Sequence, residues 1–378
     1  MARAEKGVTM ASNTSKKPFD FLLFMTVLIL LSLGTIMVFS AGAPHANNNM
    51  NDTYYFIKKQ LLYLPLAFLA MFVTMNIDYR KLGKWSPVFL IGSIALLALV
   101  PVIGTELNGA KRWIFIGPIN FQPSETAKLA VILFFSYSLS KRKNGLESFF
   151  KGLLPYLLLL GVYGGLLLIE PHLSGTIIIF GVACIILFTA GSKIRHFMIL
   201  SVPAIAGLIA LIIFFPYRRD RLISFLNPFA DPSGDGYQVV QSLYAIGSGG
   251  LFGRGLGKSM QKFLYIPEPY NDFIFAILAE EMGFIGVVAV LLLFLVFIWR
   301  GIKISINAPD VFGSLVAVGI TSLVAIQVII NVAVVTSSMP VTGMPLPLFS
   351  HGGTSLIFLM AGIGILLNIS RYSNYDRI

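Results

Sequence analysis

Apolar residues in this chain gather into long, nearly uninterrupted runs rather than alternating with polar ones, and ten runs approach the ~20 residues that carry a helix across the hydrocarbon layer of a membrane. They cover approximately Phe21 to Ser40, Leu61 to Ile77, Ser86 to Ile103, Pro123 to Leu139, Leu153 to Ile169, Gly175 to Ala190, Phe197 to Phe215, Phe273 to Trp299, Phe312 to Val335 and Thr354 to Ile369. The fourth and sixth are short, and the fourth carries Glu125 and Lys128. The run from Phe21 has full spanning length and no small-residue cleavage site, so it reads as a first helix and not as a signal peptide. Residues 1–18 form a polar tail. The longest polar segment, Pro216 to Asn271, is rich in glycine from Gly247 to Gly257. Its interleaved Tyr244, Ile246, Leu251, Phe252, Leu256, Phe263 and Tyr265 are too apolar for a disordered linker, and predict short helices against the membrane face.

Composition agrees: 56% of the 378 residues are hydrophobic, 12% are charged and the mean hydropathy is +0.82, whereas soluble domains carry about 25% charged residues. The pattern predicts an all-α integral membrane protein of about ten transmembrane helices, with residues 19–378 forming one polytopic domain and no internal repeat. A net charge of +11 raises nucleic acid as a partner. In a membrane protein such a balance usually reflects lysine and arginine retained on the cytoplasmic side, and no nucleic-acid partner is expected. With both termini cytoplasmic, seventeen of the 28 cations fall on inside segments. The outside ones are Lys58, Lys59, Lys111, Arg112, Arg218, Arg219, Arg221, Arg254, Lys258 and Lys262, six of them in the 216–271 loop between the seventh and eighth spans. Cations placed against the trend point to an anionic ligand on that face. The single cysteine, Cys184, lies in an apolar run and permits neither an internal disulfide nor a cysteine-based metal site.

Ionisable groups at membrane depth are costly and therefore functional candidates. The acids are Glu125, Glu170, Asp272, Glu280 and Glu281. Asp272 stands where the long loop enters the eighth span, and both helix capping and chemistry fit that position. Two prolines and two acids in Ile266 to Phe275 are more than capping requires. Glu280, eight residues on, is turned ~80° from Asp272 and set ~12 Å deeper, and Glu281 is turned almost to the opposite face; pairing with neighbouring helices is the plainer role for at least one. Glu125 and Lys128, three apart, suit a mutual ion pair. Lys111 and Arg112 beside Trp113 suit either a pyrophosphate grip or interfacial anchoring. The block Pro345 to Thr354 interrupts an apolar region with prolines and glycines, which is tolerated where backbone is buried or lines a cavity; His351 is its candidate cavity residue. No phosphate-cradling loop, zinc-type helix pair or paired cysteines occur, and Gly253 to Lys258 follows no strand, so a nucleotide-driven machine is not expected.

At these segments the chain resembles the cell-wall glycosyltransferases of the shape, elongation, division and sporulation (SEDS) family. The resemblance spans nearly the whole sequence and rests on Lys111-Arg112-Trp113 with Gln122-Pro123-Ser124-Glu125, and on Gly236-Tyr237-Gln238 through Gln241-Ser242 to Gly247-Ser248-Gly249-Gly250 and Gly255-Leu256-Gly257. Pro267-Glu268, Asp272-Phe273-Ile274-Phe275, Glu280-Glu281 with Gly283, and Gly343 to Gly353 complete it. It implies a ten-helix enzyme of the bacterial cytoplasmic membrane that polymerises lipid II into glycan strands on the outer face, with Asp272 as general base for the acceptor 4-hydroxyl. A single inverting displacement expels undecaprenyl pyrophosphate. One acid then suffices, because pyrophosphate needs charge stabilisation more than protonation. The implied substrate-binding residues are Lys111, Arg112, Glu125, Lys128, Gln238, Gln241, Arg254, Lys258, Glu268, Ser350 and His351, and a divalent cation (Mg2+ or Mn2+) is left open as a helper. The implied partner is a class B penicillin-binding protein. The chain departs from the usual pattern at Tyr270-Asn271, Glu170-Pro171-His172 and His351. The lead-in to the first span leans towards the division and sporulation branch. Competing readings are a lipid II flippase, which wants polar residues along the whole depth, and an ion-coupled transporter, which wants repeat-related broken helices.

Overall fold

In the computed structural model, residues 18–107, 110–117, 119–142, 146, 148–214, 224–232, 234, 236–263 and 265–373 are described. The tail up to residue 17, the start of the long loop with Arg218, Arg219 and Arg221, and the pair Asn108-Gly109 lie outside them. Each of the ten apolar runs falls on a helix: α1 (Phe21–Met50), α2 (Tyr55–Asn76), α3 (Tyr79–Ile103), α4 (Pro123–Ser140), α5 (Leu154–Ile169, led in by a π-turn at Phe149–Leu153), α6 (Leu173–Thr189), α7 (Ile194–Phe214), α9 (Ile274–Ile306), α10 (Val311–Val335) and α11 (Thr354–Ser370). Among the described residues, six helices are long and apolar enough to cross a membrane by length and composition, and α6 and α11 are shorter apolar helices. The protein is a multi-pass membrane protein.

Local chemistry sets the helix starts. Asp20 caps α1 by accepting from the Leu23 amide at 3.0 Å, and Asp310 caps α10 through the Gly313 amide at 2.8 Å. Pro123 opens α4, with Glu125 in its first turn, where missing amide bonds and the helix dipole favour those residue types. Helices pack through small residues, as expected where both lipid and protein are apolar. On α11, a Cβ at Gly364 would lie 2.1 Å from Thr74 Oγ1 of α2, and that hydroxyl donates to the Ala361 carbonyl at 2.9 Å.

Two polar links join α1 to α9. At one end Arg300 Nε donates to Asp20 at 2.8 Å; at the other Ser40 donates to Glu281 Oε1 at 2.6 Å. Twenty residues of helix separate them on α1, a rise of about 30 Å, which is the thickness of the hydrocarbon layer. Above the Ser40 level α1 continues a further ten residues, to Met50. The wall of the site is therefore built above the membrane by the same helices that cross it.

Three features differ from the sequence expectation. The connection between α3 and α4 is a small antiparallel sheet, β1 (Thr105–Leu107), β2 (Ala110–Ile116) and β3 (Ile119–Phe121) in that order, so the protein is not wholly α. Its register sets Glu106 opposite Lys111 and Ile114 opposite Phe121. The aromatic and branched residues of β2 suit a pleated, half-buried surface; the cations beside them gave the segment the look of a polar link. In the long loop, α8 (Tyr237–Gly249) packs inward, with Val239, Val240, Ser242, Ala245 and Gly249 buried and Ser242 donating to the Val335 carbonyl of α10 at 2.7 Å.

The third is a break in α9 at Gly283 (φ 66°, ψ −170°), a conformation open essentially to glycine alone. The chain after α8 is inserted there. Phe284 and Ile285, which would donate to Glu280 and Glu281 in a continuous helix, donate to Gly250 and Leu251 at 2.9 and 3.1 Å. The stranded Glu280 and Glu281 carbonyls accept from Arg254 and Gly255 at 2.9 and 3.0 Å. Four loop bonds replace two helical ones. The carboxylates follow: Glu280 accepts from Ser259 Oγ at 2.5 Å and the Met260 amide at 2.9 Å, and Glu281 pairs with Lys262 at 2.9 Å. Both acids anchor the loop, where the sequence suggested pairing with neighbouring helices; only Glu281, through Ser40, also reaches one.

Candidate active site

Asp272 precedes Phe273, which occupies the N-cap position of α9. Its backbone is held at three consecutive carbonyls, two by the proline-glycine block and the third by Asn331 of α10. The His351 amide donates to Tyr270 at 3.1 Å, Ser350 Oγ to Asn271 at 2.7 Å and Asn331 Nδ2 to Asp272 at 2.8 Å. Asn331 Nδ2 also donates to the Met344 carbonyl at 2.6 Å, and Ser350 Oγ accepts from the Leu346 amide at 2.8 Å. Two buried polar side chains thus tie the block to the aspartate strand at both ends. The carboxylate itself is partly exposed and lies against Gly343, where a Cβ would approach Oδ2 at 3.4 Å. Glu268 is drawn in as well, its Oε2 accepting from Asn271 Nδ2 at 2.9 Å.

His351 turns away from the strand towards α2. Its Nδ1 lies 3.2 Å from Gln60 Oε1, which makes Nδ1 the donor and leaves Nε2 as an acceptor. Burial and the nearby Lys59 hold the ring neutral, pushing its pKa down to about 4. Phe56 stacks on Tyr270 at 3.8 Å and meets His351 edge-on at 5.5 Å, while His45 packs on Tyr270 at 5.4 Å. This aromatic wall backs the residue two before Asp272.

Beneath the block a cavity of about 600 Å³, its open mouth included, lies between α4, α10 and α11; its polar lining is Glu125, Lys128, Gln327, Ser350 and Ser355. Lys128 Nζ and Glu125 Oε1 form the expected pair at 2.6 Å, almost wholly buried. Ser350 therefore serves both the cavity and the aspartate strand. Arg112, on β2, donates to the carbonyls of Glu170 at 3.2 Å and of Pro171, and so buttresses the turn between α5 and α6. In that turn Glu170 is 2% exposed, and neither of its carboxylate oxygens meets a donor. Burial pushes its pKa up to about 8 against the pull of Arg112. His172, buried and facing Arg112 and Lys128, is pushed down to about 3, with Gln122 Nε2 3.4 Å from its Nε2.

Of the sequence-predicted residues, Asp272, Glu268, Ser350 and His351 meet in one neighbourhood, and Glu125 and Lys128 join it through the cavity. Arg112 meets the α5–α6 turn, Lys111 is exposed on β2, and Gln238 and Gln241 are half-buried on α8. Arg254 pairs with Glu280 at the α9 break, eight residues beyond Asp272, at 3.7 Å, and Lys258 lies in the same inserted segment with its amide donating to the Gly255 carbonyl at 3.1 Å. Sequence reasoning passed over Asn331 and Gln60. Asn331 carried a signal, being with Gln327 one of two amides in an apolar run, where the criterion was applied only to charges. Among the described residues no three His, Cys, Asp or Glu side chains converge as ligands for the divalent ion left open by the sequence.

Comparison with known proteins shows the family. The profile of the FtsW/RodA/SpoVE family, described as cell cycle proteins, matches residues 20–375. The chain belongs to that family. Among FtsW/RodA/SpoVE relatives, stage V sporulation protein E of Bacillus subtilis (strain 168) is 47% identical over 367 residues, 96% of this chain and 100% of the relative. The probable peptidoglycan glycosyltransferase FtsW of Geobacter sp. (strain M18) is 41% identical over 354 residues, 93% and 96% of the two chains. Two solved structures share the fold. A chain from a peptidoglycan synthase complex, studied for its coordination of polymerization and crosslinking, aligns at TM-score 0.78 and 32% identity over 93% of this chain and 98% of that one. The rod shape determining protein RodA of Thermus thermophilus aligns at TM-score 0.71 and 30% identity over 95% and 98%.

Proposed function

We propose that this chain is a peptidoglycan glycosyltransferase that polymerises lipid II at the outer face of the bacterial cytoplasmic membrane, with Asp272 as general base. The observation that carries the reading is the clamp on residues 270–272: two carbonyls are bonded to the proline-glycine block and the third to Asn331 of α10, so a partly exposed carboxylate is held in place beside Gly343. Preorganisation of that kind is what proton abstraction in a transition state requires. The names of the FtsW relatives support the reaction class.

In the reaction the acceptor 4-hydroxyl attacks the anomeric carbon of the donor, Asp272 receives the hydroxyl proton, and the bond to undecaprenyl pyrophosphate breaks with the electron pair leaving on that oxygen. The departing charge needs cations. Lys128 is the candidate in the cavity and Arg112 the candidate by the α5–α6 turn. The structural neighbour from a peptidoglycan synthase complex favours a partner of the class B penicillin-binding type. Sporulation and division are the branches favoured by the relatives above.

The test is polymerisation of fluorescent lipid II by the purified protein with its transpeptidase partner. Asp272→Ala and Asp272→Asn should each lower the rate by at least ~100-fold, the lower end of what a positioned base contributes, while both still fold. Wild-type rates from either variant would remove Asp272 from the chemistry.

A further inference from the structure

The segment that splits α9 presents a surface that the glycosyl-transfer reading does not use. On α9 every residue from Ile274 to Glu281 is buried, whereas Phe284, Ile285, Leu292, Leu295, Trp299 and Ile302 are exposed. From Phe284 to Ile302 the helix rises about 27 Å, close to the hydrocarbon thickness, so this stripe faces lipid and ends at Phe284. There the inserted segment takes over. Gly250 and Leu251 accept from the Phe284 and Ile285 amides, and Leu251 (63%), Phe252 (81%) and Leu256 (59%) continue the exposed apolar surface outward. Glu281, four residues before Ile285, is linked to Ser40 at the level that bounds the hydrocarbon layer.

Charge completes the picture. Residues 250–263 contain three cations and no acid. Lys262 is buried against Glu281, whereas Lys258 is exposed and Arg254 keeps an exposed face while its Nη1 lies 3.7 Å from Glu280 Oε1. The acids beneath them, Glu280 and Glu281, are enclosed by the segment's own amides and hydroxyls. Its outer surface therefore interleaves exposed apolar side chains with two exposed cations, at the depth where acyl chains give way to headgroups. That is the distribution by which interfacial elements bind anionic membranes.

We propose that segment 250–263 is an interfacial lipid-binding element, with Leu251, Phe252 and Leu256 among the acyl chains of the adjoining leaflet and Arg254 and Lys258 holding the headgroup of an anionic phospholipid. It gives the helix break a purpose: the insertion fixes the element's depth by four backbone bonds to α9. It also reassigns two cations from the pyrophosphate to the lipid around the protein.

The test uses the full chain in phosphatidylcholine vesicles, free of lipid II, and reads fluorescence. Phe252→Trp and, separately, Leu256→Trp add an indole whose emission is taken as the difference from the parent. Lipids brominated near the headgroup should quench the added indole, and acrylamide should not. Quenching by acrylamide alone at both positions, as on a protein-docking or aqueous surface, overturns the proposal. A minor fraction of brominated phosphatidylglycerol should quench at least about twofold more than the same fraction of brominated phosphatidylcholine, each interfacial cation being worth a several-fold preference. Arg254→Gln with Lys258→Gln should abolish that preference. Equal quenching by the two lipids in the parent background, or a preference that survives both substitutions, overturns the headgroup assignment.

Discussion

Gly283→Ala tests whether the α9 break holds the loop in place. In the native chain residue 283 has φ 66° and ψ −170°, a region that costs an alanine about 1–3 kcal/mol. Space is also lacking: a Cβ would sit 2.2 Å from the Gly253 amide nitrogen and 2.7 Å from the Leu251 carbonyl oxygen, both backbone atoms. The chain can escape only by expelling the loop and closing the helix. Closure restores two helical bonds and forfeits four loop bonds, a net loss of two at about 0.5–1.5 kcal/mol each. It also strips Glu280 and Glu281 of Ser259, Met260 and Lys262, leaving two buried carboxylates underbonded at a further ~1–3 kcal/mol each. Strain with local displacement is the cheaper course, so the variant should lose roughly 3–5 kcal/mol. Thermal unfolding in detergent should show a midpoint lowered by about 10 °C, at the few degrees per kcal/mol expected of a large domain. The control is Gly247→Ala on α8, where nothing lies within 4 Å of the added Cβ; it should leave the midpoint unchanged or raise it slightly. An unchanged midpoint for Gly283→Ala would refute the account of the break.

Lys128→Met removes one partner of a buried pair and should destabilise by about 3–5 kcal/mol, while adding Glu125→Gln should recover most of that loss. If polymerisation stays low in the recovered double variant, the pair acts in the site; recovery of both would make it structural. Asn331→Leu frees the Asp272 and Met344 carbonyls together and should reduce the polymerisation rate by at least ~10-fold with a stability loss of only ~1–3 kcal/mol. An unaffected rate would show that this bridge does not position the aspartate. Glu170 is raised from 4.5 to about 8 in the fold, so the folded chain binds the extra proton between those values. Stability from this group is present in full below about pH 4.5 and is lost as pH rises through 8. Glu170→Gln should therefore match the parent's unfolding midpoint near pH 4.5 and exceed it increasingly towards pH 8, and a difference independent of pH would exclude a buried, unpaired carboxyl.

Much of the architecture is set by local sequence, because in a membrane each span must satisfy its own backbone and fill its length with apolar side chains. The ten runs therefore carried the helices, the Pro123 start, the Glu125–Lys128 pair three residues apart, and the placing of Asp272 at the entrance to α9. What the sequence could not carry were choices made between distant segments. Gly283 reads as one glycine in an apolar run until the chain around residue 250 is brought against it, and only then do Glu280 and Glu281 acquire partners 20 residues away. The strands at 105–121 exist because they pair with each other, which no hydropathy window registers. Asp272 was visible as an acid at a helix entrance. That it is held by Asn331, Ser350 and the His351 amide follows only from folding segments about 60 and 80 residues away onto its backbone, where buried carbonyls take whatever donors the tertiary structure delivers.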